Sequence, residues 1–176
     1  TCALPIWSIG LEIAKKAKLM GMHVIGVRSS GKEIEDVDKI YLPENMEKVF
    51  KESDYIINLL PSVESTYKII DKNYFNLMKT SACFINMGRG NTVNEEDLVE
   101  VLRNKKIKAF ASDVFSIEPL PKDSPFWRME NVIITPHICG ESNKYFERAL
   151  PIIENNIKAY KGNGGFINLV SFEKGY

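Results

Sequence analysis

The sequence predicts an α/β fold built on a doubly wound parallel sheet. Three observations carry that reading. Short β-branched or apolar runs alternate with helical stretches along the chain. Each run is apolar throughout rather than on alternate residues, which means burial on both faces and not on one. Polar or glycine-rich turns follow the runs, as in Arg28-Ser29-Ser30-Gly31 and Met87-Gly88-Arg89-Gly90. In an open parallel sheet such turns stand at the carboxyl ends of the strands, where ligands bind.

Taken in order, Ser8–Met20 places Ile9, Leu11, Ile13, Ala14, Ala17 and Leu19 among lysines, an amphipathic helix that Gly21 stops. His23–Val27 is a β-branched strand, and Arg28–Lys32 is a loop. Asp38–Leu42 reads as a short strand, and Glu44–Lys51 as a helix after Pro43. Tyr55–Leu60 is a strand ended by Pro61; Glu64–Ile70 and Tyr74–Met78 read as short helices. Cys83-Phe84-Ile85 is too brief for a helix and reads as a buried strand. Asn94 followed by Glu95, Glu96 and Asp97 is a helix start, with a capping residue and then acids at the positive end of the dipole. Ala109–Ser112 is a strand reaching Asp113, Glu118–Pro121 a rigid loop, and Asn131–Thr135 a strand stopped by Pro136. Glu141–Tyr160 reads as a long final helix despite Pro151, and Gly162–Tyr176 as a tail over a surface.

The 176 residues make one ordinary domain with enough chain to bury a core. Apolar residues are 44% and charged residues 26%, and the formal net charge is zero, so nothing in the composition points to nucleic acid or an anionic membrane. No apolar run reaches the length of a bilayer span. Three scattered cysteines suit a reducing compartment, hence the cytoplasm, and two histidines without clustered ligands argue against a structural metal.

Thr1–Ile6 reads as foreign to this pattern, since Pro5 falls where a strand is needed and Trp7 where a glycine is expected. Read in one frame, the end of a common sequencing-library adapter, ACGTGTGCTCTTCCGATCT, encodes Thr-Cys-Ala-Leu-Pro-Ile. The T left over, with two bases of a native GGG glycine codon, spells Trp7. Residues 1–7 are therefore expected to be an artefactual leader, 8–161 the α/β domain and 162–176 a tail. A longer read in which the leader continues upstream as coding sequence would overturn this.

The chemistry concentrates in four places. Ser8-Ile9-Gly10 resembles the tail of a G-x-G-x-x-G turn of which only Gly10 survives, followed at once by a helix and a strand. The loop after that strand is where a dinucleotide-binding fold inspects the adenosine ribose. An acid there would bond both ribose hydroxyls; this chain has Arg28, Ser29, Ser30 and Lys32, which suit a 2′-phosphate. NADP is therefore preferred, with NAD the other possibility and solvated loop charges the plainer reading. Arg89 stands just past a strand's carboxyl end, where an ordinary turn arginine in a salt bridge is the alternative. His137, after Pro136, shares the same edge with Arg89, Asp113 and Glu118. A carboxylate beside an imidazole fixes its tautomer and favours the protonated ring, a proton donor near neutral pH, and Glu118 is the expected partner. His23 reads as a surface residue and Cys139 as small packing.

The order of the glycine turn, INMGRG, ASDVFSIEPLP and ITPHICG resembles the nucleotide-binding, Rossmann-like domain of the D-isomer-specific 2-hydroxyacid dehydrogenases, nearest their glyoxylate/hydroxypyruvate reductase branch. The resemblance runs from Ser8 to the C-terminus. It implies that Arg89 grips the carboxylate and carbonyl oxygen of a small 2-keto acid, that His137 exchanges a proton with that oxygen, and that Glu118 holds His137. It implies that Asp113 meets the carboxamide end of the nicotinamide, and that Ser8, Ile9 and Gly10 cover the pyrophosphate. Leu60 and Pro61 would line the adenosine side, and Met87, Gly88 and Gly140 would border the cofactor. A homodimer, without nucleic acid or membrane, is the implied assembly. The chain departs from the family in two ways. The sheet is expected to lack its first, central strand, which Thr1–Trp7 could replace only poorly, and the family's substrate domain is expected to be missing with it. The fragment alone is therefore expected to be inactive. The alternative function is a non-catalytic dinucleotide-sensing module of the corepressor type. A methyltransferase fits less well, because it needs no histidine after the last strand.

Overall fold

A computed structural model of the chain describes residues 2–5, by backbone, and 8–172. Trp7 and the closing Lys174-Gly175-Tyr176 lie outside the described residues. The elements run β1 (Cys2–Pro5), α1 (Ser8–Leu19), β2 (Val24–Val27), β3 (Lys39–Tyr41), α2 (Met46–Glu52), β4 (Tyr55–Asn58), α3 (Lys72–Phe75), β5 (Cys83–Asn86), α4 (Glu95–Arg103), β6 (Ala109–Ser112), β7 (Val132–Ile134) and α5 (Tyr145–Tyr160). The strands form one sheet in the order β3-β2-β1-β4-β5-β6-β7, and every pairing is parallel. This is the doubly wound architecture expected. The chain winds outward from β1 to β3, then returns to β4 on the other side of β1, so the switch point lies between β1 and β4.

The central strand corrects the expected sheet. The sheet was expected to lack it, yet Cys2–Pro5 fills the slot, pairing with Val24–Val27 over four residues. Its pairing with β4 covers only Cys2 and Ala3, and stops two residues short of Pro5. Proline has no N–H to give a ladder, so a proline at the strand's last position is compatible with a central place where one in the middle is not.

Alternate residues of the strands enter two separate cores. Ile25, Ile56, Phe84 and Phe110 pack with Val49, Phe50, Phe75, Leu98 and Leu102 from α2, α3 and α4 on one face. Val24 and Ile57 pack with Ala14 and Ala17 of α1 on the other. That alternation explains why each strand is apolar throughout. On the first face an aromatic series runs from Phe75 to Phe84, Phe110, Phe126 and Phe115, with successive ring centroids 5.3, 5.8, 5.5 and 5.7 Å apart. It carries the core up to the loop that follows β6.

Some boundaries moved. Glu64–Ile70 forms only a 3-10 turn at Glu64–Thr66. The helix expected at Tyr74–Met78 starts at Lys72 instead, because the Asp71 carboxylate accepts from the Asn73 and Tyr74 N–H groups and caps it there. The last helix begins at Tyr145 rather than Glu141, after a turn in which Tyr145 N–H donates to Ser142 O. At the other end of the sheet Asp38 and Val24 clasp each other. Asp38 N–H donates to Val24 O at 2.8 Å, and Val24 N–H donates to Asp38 Oδ2 at 2.7 Å. Lys18 Nζ closes on the same carboxylate at 2.8 Å, and the exposed His23 lies 3.4 Å from it.

The chain divides into two compact units, Thr1–His137 and Ile138–Tyr176. In the second, Asn156 fastens the tail to α5. Its Nδ2 donates to Ile167 O and its Oδ1 accepts from Ile167 N–H, at 3.0 and 2.9 Å. The tail expected from residue 162 thus belongs to the same unit as α5.

Candidate active site

The turn after β5 is wedged between the loops of its two neighbours. A Cβ on Gly88 would stand 2.7 Å from Leu60 O, and one on Gly90 would stand 1.9 Å from the Phe115 carbonyl carbon. Glycine is required at both positions because backbone fills the space a side chain would occupy. Arg89 lies between them, exposed, with Nη1 donating to Gly88 O at 2.8 Å. The local sequence Gly-Arg-Gly therefore lets three strand-end loops pack backbone against backbone, with Arg89 between the two contacts.

The loop after β6 supplies the carboxylate. Glu118 Oε1 accepts from the Phe115 N–H at 2.9 Å, and Glu118 Oε2 lies 2.7 Å from His137 Nδ1. Burial pushes the Glu118 carboxyl up. The hydrogen bonds from His137 and Phe115, with the positive charges of His137 and Arg89, outweigh it and hold the carboxyl below its ordinary value. An ionised Glu118 can only accept, so Nδ1 must carry the proton and Nε2 is left to face outward chemistry. His137 adopts a left-handed backbone with φ of 55°. Such a conformation is costly for a residue with a Cβ and concentrates where a side chain must be aimed. The sequence-predicted Arg89, Glu118 and His137 thus meet at one edge of the sheet. Glu118 and His137 keep 35% and 49% of their side-chain surface open, enough for a ligand to reach them.

The other predicted residues line the same edge in part. Asp113 is 5% exposed and accepts from the Thr135 hydroxyl, which joins the ends of β6 and β7. Leu60 and Pro61 follow β4, with Leu60 backbone against Gly88. Met87 is half-buried and, like Leu59 and Ile85, packs against the core formed by Ala14, Ala17, Val24 and Ile57. Ser8 and Ile9 are exposed and Gly10 is buried in the first turn of α1, at the switch point. That turn holds no acidic residue, whereas the first turn of α4 holds three, Glu95, Glu96 and Asp97. A helix start without an acid at the switch point fits the pyrophosphate of a dinucleotide. Arg28 follows β2, half-buried, with its N–H donating to Tyr41 O at 2.9 Å, and Ser29 is exposed beside it. Gly140 lies in the second unit, exposed, with open space where a Cβ would stand. Among the described residues no group of histidine, cysteine and acidic side chains could hold a metal ion, and no helix is long and apolar enough to cross a membrane.

Comparison with known proteins bears on the domain as a whole. Residues 7–139 match the family model of the D-isomer specific 2-hydroxyacid dehydrogenase NAD binding domain. The chain belongs to that family. It is 37% identical over 158 residues to a glyoxylate/hydroxypyruvate reductase B of Enterobacter sp. (strain 638), covering 88% of this chain and 48% of the relative. It is 32% identical over 169 residues to a glyoxylate reductase of Korarchaeum cryptofilum, covering 94% and 50%. A dehydrogenase of the family from Xanthobacter autotrophicus Py2, solved in complex with NADPH and MES, superposes with a TM-score of 0.91 at 29% identity, over 100% of this chain and 72% of that one. An NADPH-dependent glyoxylate/hydroxypyruvate reductase from Sinorhizobium meliloti, solved with NADP and sulfate, gives 0.90 at 28%, over 99% and 56%. This dehydrogenase-family domain spans about half the length of the curated relatives it matches.

Sequence reasoning missed the groups beneath the site. Thr135, which holds Asp113, looked like the end of a strand. Asn58, Asn86 and Thr92 are buried to 2%, 1% and 0% exposure and bonded to one another under the arginine turn. The signal available was an asparagine closing each of two apolar strand runs.

Proposed function

We propose that the protein to which this domain belongs transfers a hydride between NAD(P)H and a small 2-keto acid, or the corresponding D-2-hydroxy acid, of the glyoxylate or hydroxypyruvate type. The observation that carries the proposal is the Glu118–His137 pair at 2.7 Å with the charge of Arg89 bearing on the same carboxylate. Arg89 would meet the substrate's carboxylate and carbonyl oxygen, a planar fork against a planar anion. Glu118 holds Nδ1, so Nε2 of His137 would give its proton to the carbonyl oxygen in reduction and take it back in oxidation. When bound, the dinucleotide would supply or accept the hydride at its nicotinamide ring. Asp113, fixed by Thr135, would take the carboxamide end of that ring, with Met87 and Gly88 along its border. Ser8, Ile9 and Gly10 would receive the pyrophosphate at the start of α1, and Leu60 and Pro61 the adenosine side.

NADP preference is supported by Arg28, Ser29, Ser30 and Lys32, a loop with no acid between Arg28 and Lys32. A homodimer in the cytoplasm is the assembly and place that the family resemblance and the scattered cysteines support. The test is oxidation of NADPH by the full-length protein with glyoxylate and hydroxypyruvate. Arg89→Ala should abolish turnover. A wild-type protein that binds dinucleotide but turns over no keto acid in a panel would replace the enzyme with a dinucleotide-sensing module.

A further inference from the structure

Asn58 and Asn86 are register partners, each the last residue of its strand. Every other position of β4 and β5 is apolar or aromatic, Tyr55-Ile56-Ile57 and Cys83-Phe84-Ile85. Three polar side chains buried there, Thr92 being the third, are costly unless every polar atom finds a partner. They do, and the partners have one thing in common. Asn58 Nδ2 spends its two hydrogens on Asn86 Oδ1 at 3.0 Å and Thr92 Oγ1 at 2.8 Å. Thr92 Oγ1 donates its single hydrogen to Arg89 O at 2.6 Å, and Asn86 Nδ2 donates to the same oxygen at 3.4 Å. Asn86 Oδ1 also accepts from Gly88 N–H at 3.2 Å, and Asn58 Oδ1 accepts from Leu60 N–H at 3.1 Å. Each bond that leaves the trio ends on backbone of the arginine turn or of the loop that Gly88 touches.

We propose that Asn58, Asn86 and Thr92 are positioning residues: a buried polar trio that fixes the backbone of the Arg89 turn, and through it the guanidinium that meets the substrate. An apolar trio of similar volume would fill the space without demanding partners. The polar one converges on the Arg89 carbonyl, to which the Thr92 N–H adds a further donor at 3.3 Å. Arg89 itself is exposed, so its side chain has little packing to aim it. The stiffness of its backbone does that instead. The claim that the aimed group meets a keto acid rests on the function proposed above; the claim that the trio holds the turn does not.

The test uses the full-length protein with Thr92→Val, which keeps the shape and removes the hydroxyl, and Thr92→Ser, which returns it. Oxamate, an unreactive isostere of a 2-keto acid, and NADPH are titrated by calorimetry. Thr92→Val removes the hydroxyl's bonds to Asn58 and to Arg89 O and should weaken oxamate about tenfold, leaving NADPH within about twofold. Thr92→Ser should restore oxamate. Unchanged oxamate binding, or equal weakening of both ligands, would overturn the proposal. Amide exchange provides a readout that needs no ligand. Gly88 and Thr92 amides should exchange faster in Thr92→Val while those within β4 and β5 stay slow. Exchange unchanged at the turn, or raised throughout both strands, would overturn it equally. If wild-type protein binds no oxamate, the function fails and the amide exchange still decides the trio. Should Thr92→Val not fold, Thr92→Ala is read in the same way.

Discussion

Glu118 divides its carboxylate between two tasks: one oxygen, 2.9 Å from the Phe115 N–H, is fixed to its own loop, and the other, 2.7 Å from Nδ1, is fixed to His137. The imidazole therefore hangs from a group that is itself anchored to Phe115, the last ring of the aromatic series in the core. An imidazole held this way keeps one tautomer and one face toward whatever approaches Nε2.

Replacing Glu118 by Gln keeps the shape and removes the charge. In the reduction direction the protonated ring is the donor, and the contact with Glu118 is what holds it in place. Glu118→Gln should reduce the rate of glyoxylate reduction by the full-length protein by roughly 10- to 100-fold. His137→Ala should reduce it further. A Glu118→Gln variant as fast as wild type in steady-state kinetics would show that the pair does not act on the proton.

Arg89→Lys keeps a positive charge but loses the fork. A lysine cannot present two parallel N–H groups to one carboxylate. We expect kcat/KM for glyoxylate to fall roughly 100-fold or more, with NADPH binding unchanged. Steady-state kinetics beside a dinucleotide titration separate the two. Equal activity in the lysine variant would mean that the arginine acts as a charge alone.

The cofactor prediction rests on Arg28. It leaves the end of β2 next to the switch point, and its reversal to Asp should repel a 2′-phosphate and offer two acceptors to a pair of ribose hydroxyls. Arg28→Asp should weaken NADPH roughly tenfold or more and favour NADH. Unchanged preference in paired titrations would show that another residue reads the ribose.

The three side chains proposed to react were legible because each is announced locally. Arg89 lies between two glycines after an apolar run, His137 follows a proline that ends a strand, and Glu118 precedes another proline. What was not legible depends on residues distant in sequence. Asn58 and Thr92 are 34 positions apart and become a unit only when β4 and β5 pair. The central strand is a similar case. Cys2–Pro5 carries weak strand signals and a proline, and its neighbours β2 and β4, not its own composition, decide that it is a strand. The start of α3 moved by two residues for a local reason: the Asp71 side chain selects the first turn by capping it.

Asp38 yields a prediction about acid stability. Its carboxyl is held below the ordinary value first by the hydrogen bond from Lys18, then by that from the Val24 N–H. A group depressed in the folded chain stabilises above its unfolded pKa, about 3.9, and that contribution disappears as pH falls through the lower folded value. Asp38→Asn should therefore shift the urea midpoint downward at neutral pH and flatten its dependence on pH on the acid side. Parallel slopes for both proteins below about pH 4 would show that the clasp between Asp38 and Val24 adds nothing to acid sensitivity.

Gly90 is where the packing leaves least choice. Its missing Cβ is what allows the arginine turn and the Phe115–Ser116 backbone to touch; an added methyl would fall 1.9, 2.2 and 2.3 Å from three backbone atoms there. Backbone cannot rotate away as a side chain would, so Gly90→Ala must separate the two loops. The loop that moves is the one whose Phe115 N–H holds Glu118. We expect a loss of about 3 kcal/mol in folding free energy, at the upper end of overpacking effects, together with loss of keto-acid turnover. Gly140→Ala is the matched control for stability, because open space receives its methyl, and it should stay within about 0.5 kcal/mol of wild type. Urea titrations of both variants decide the matter. If Gly90→Ala unfolds at the wild-type midpoint, the two loops are not in the contact described, and the route from the arginine turn to Glu118 through that contact is lost with it.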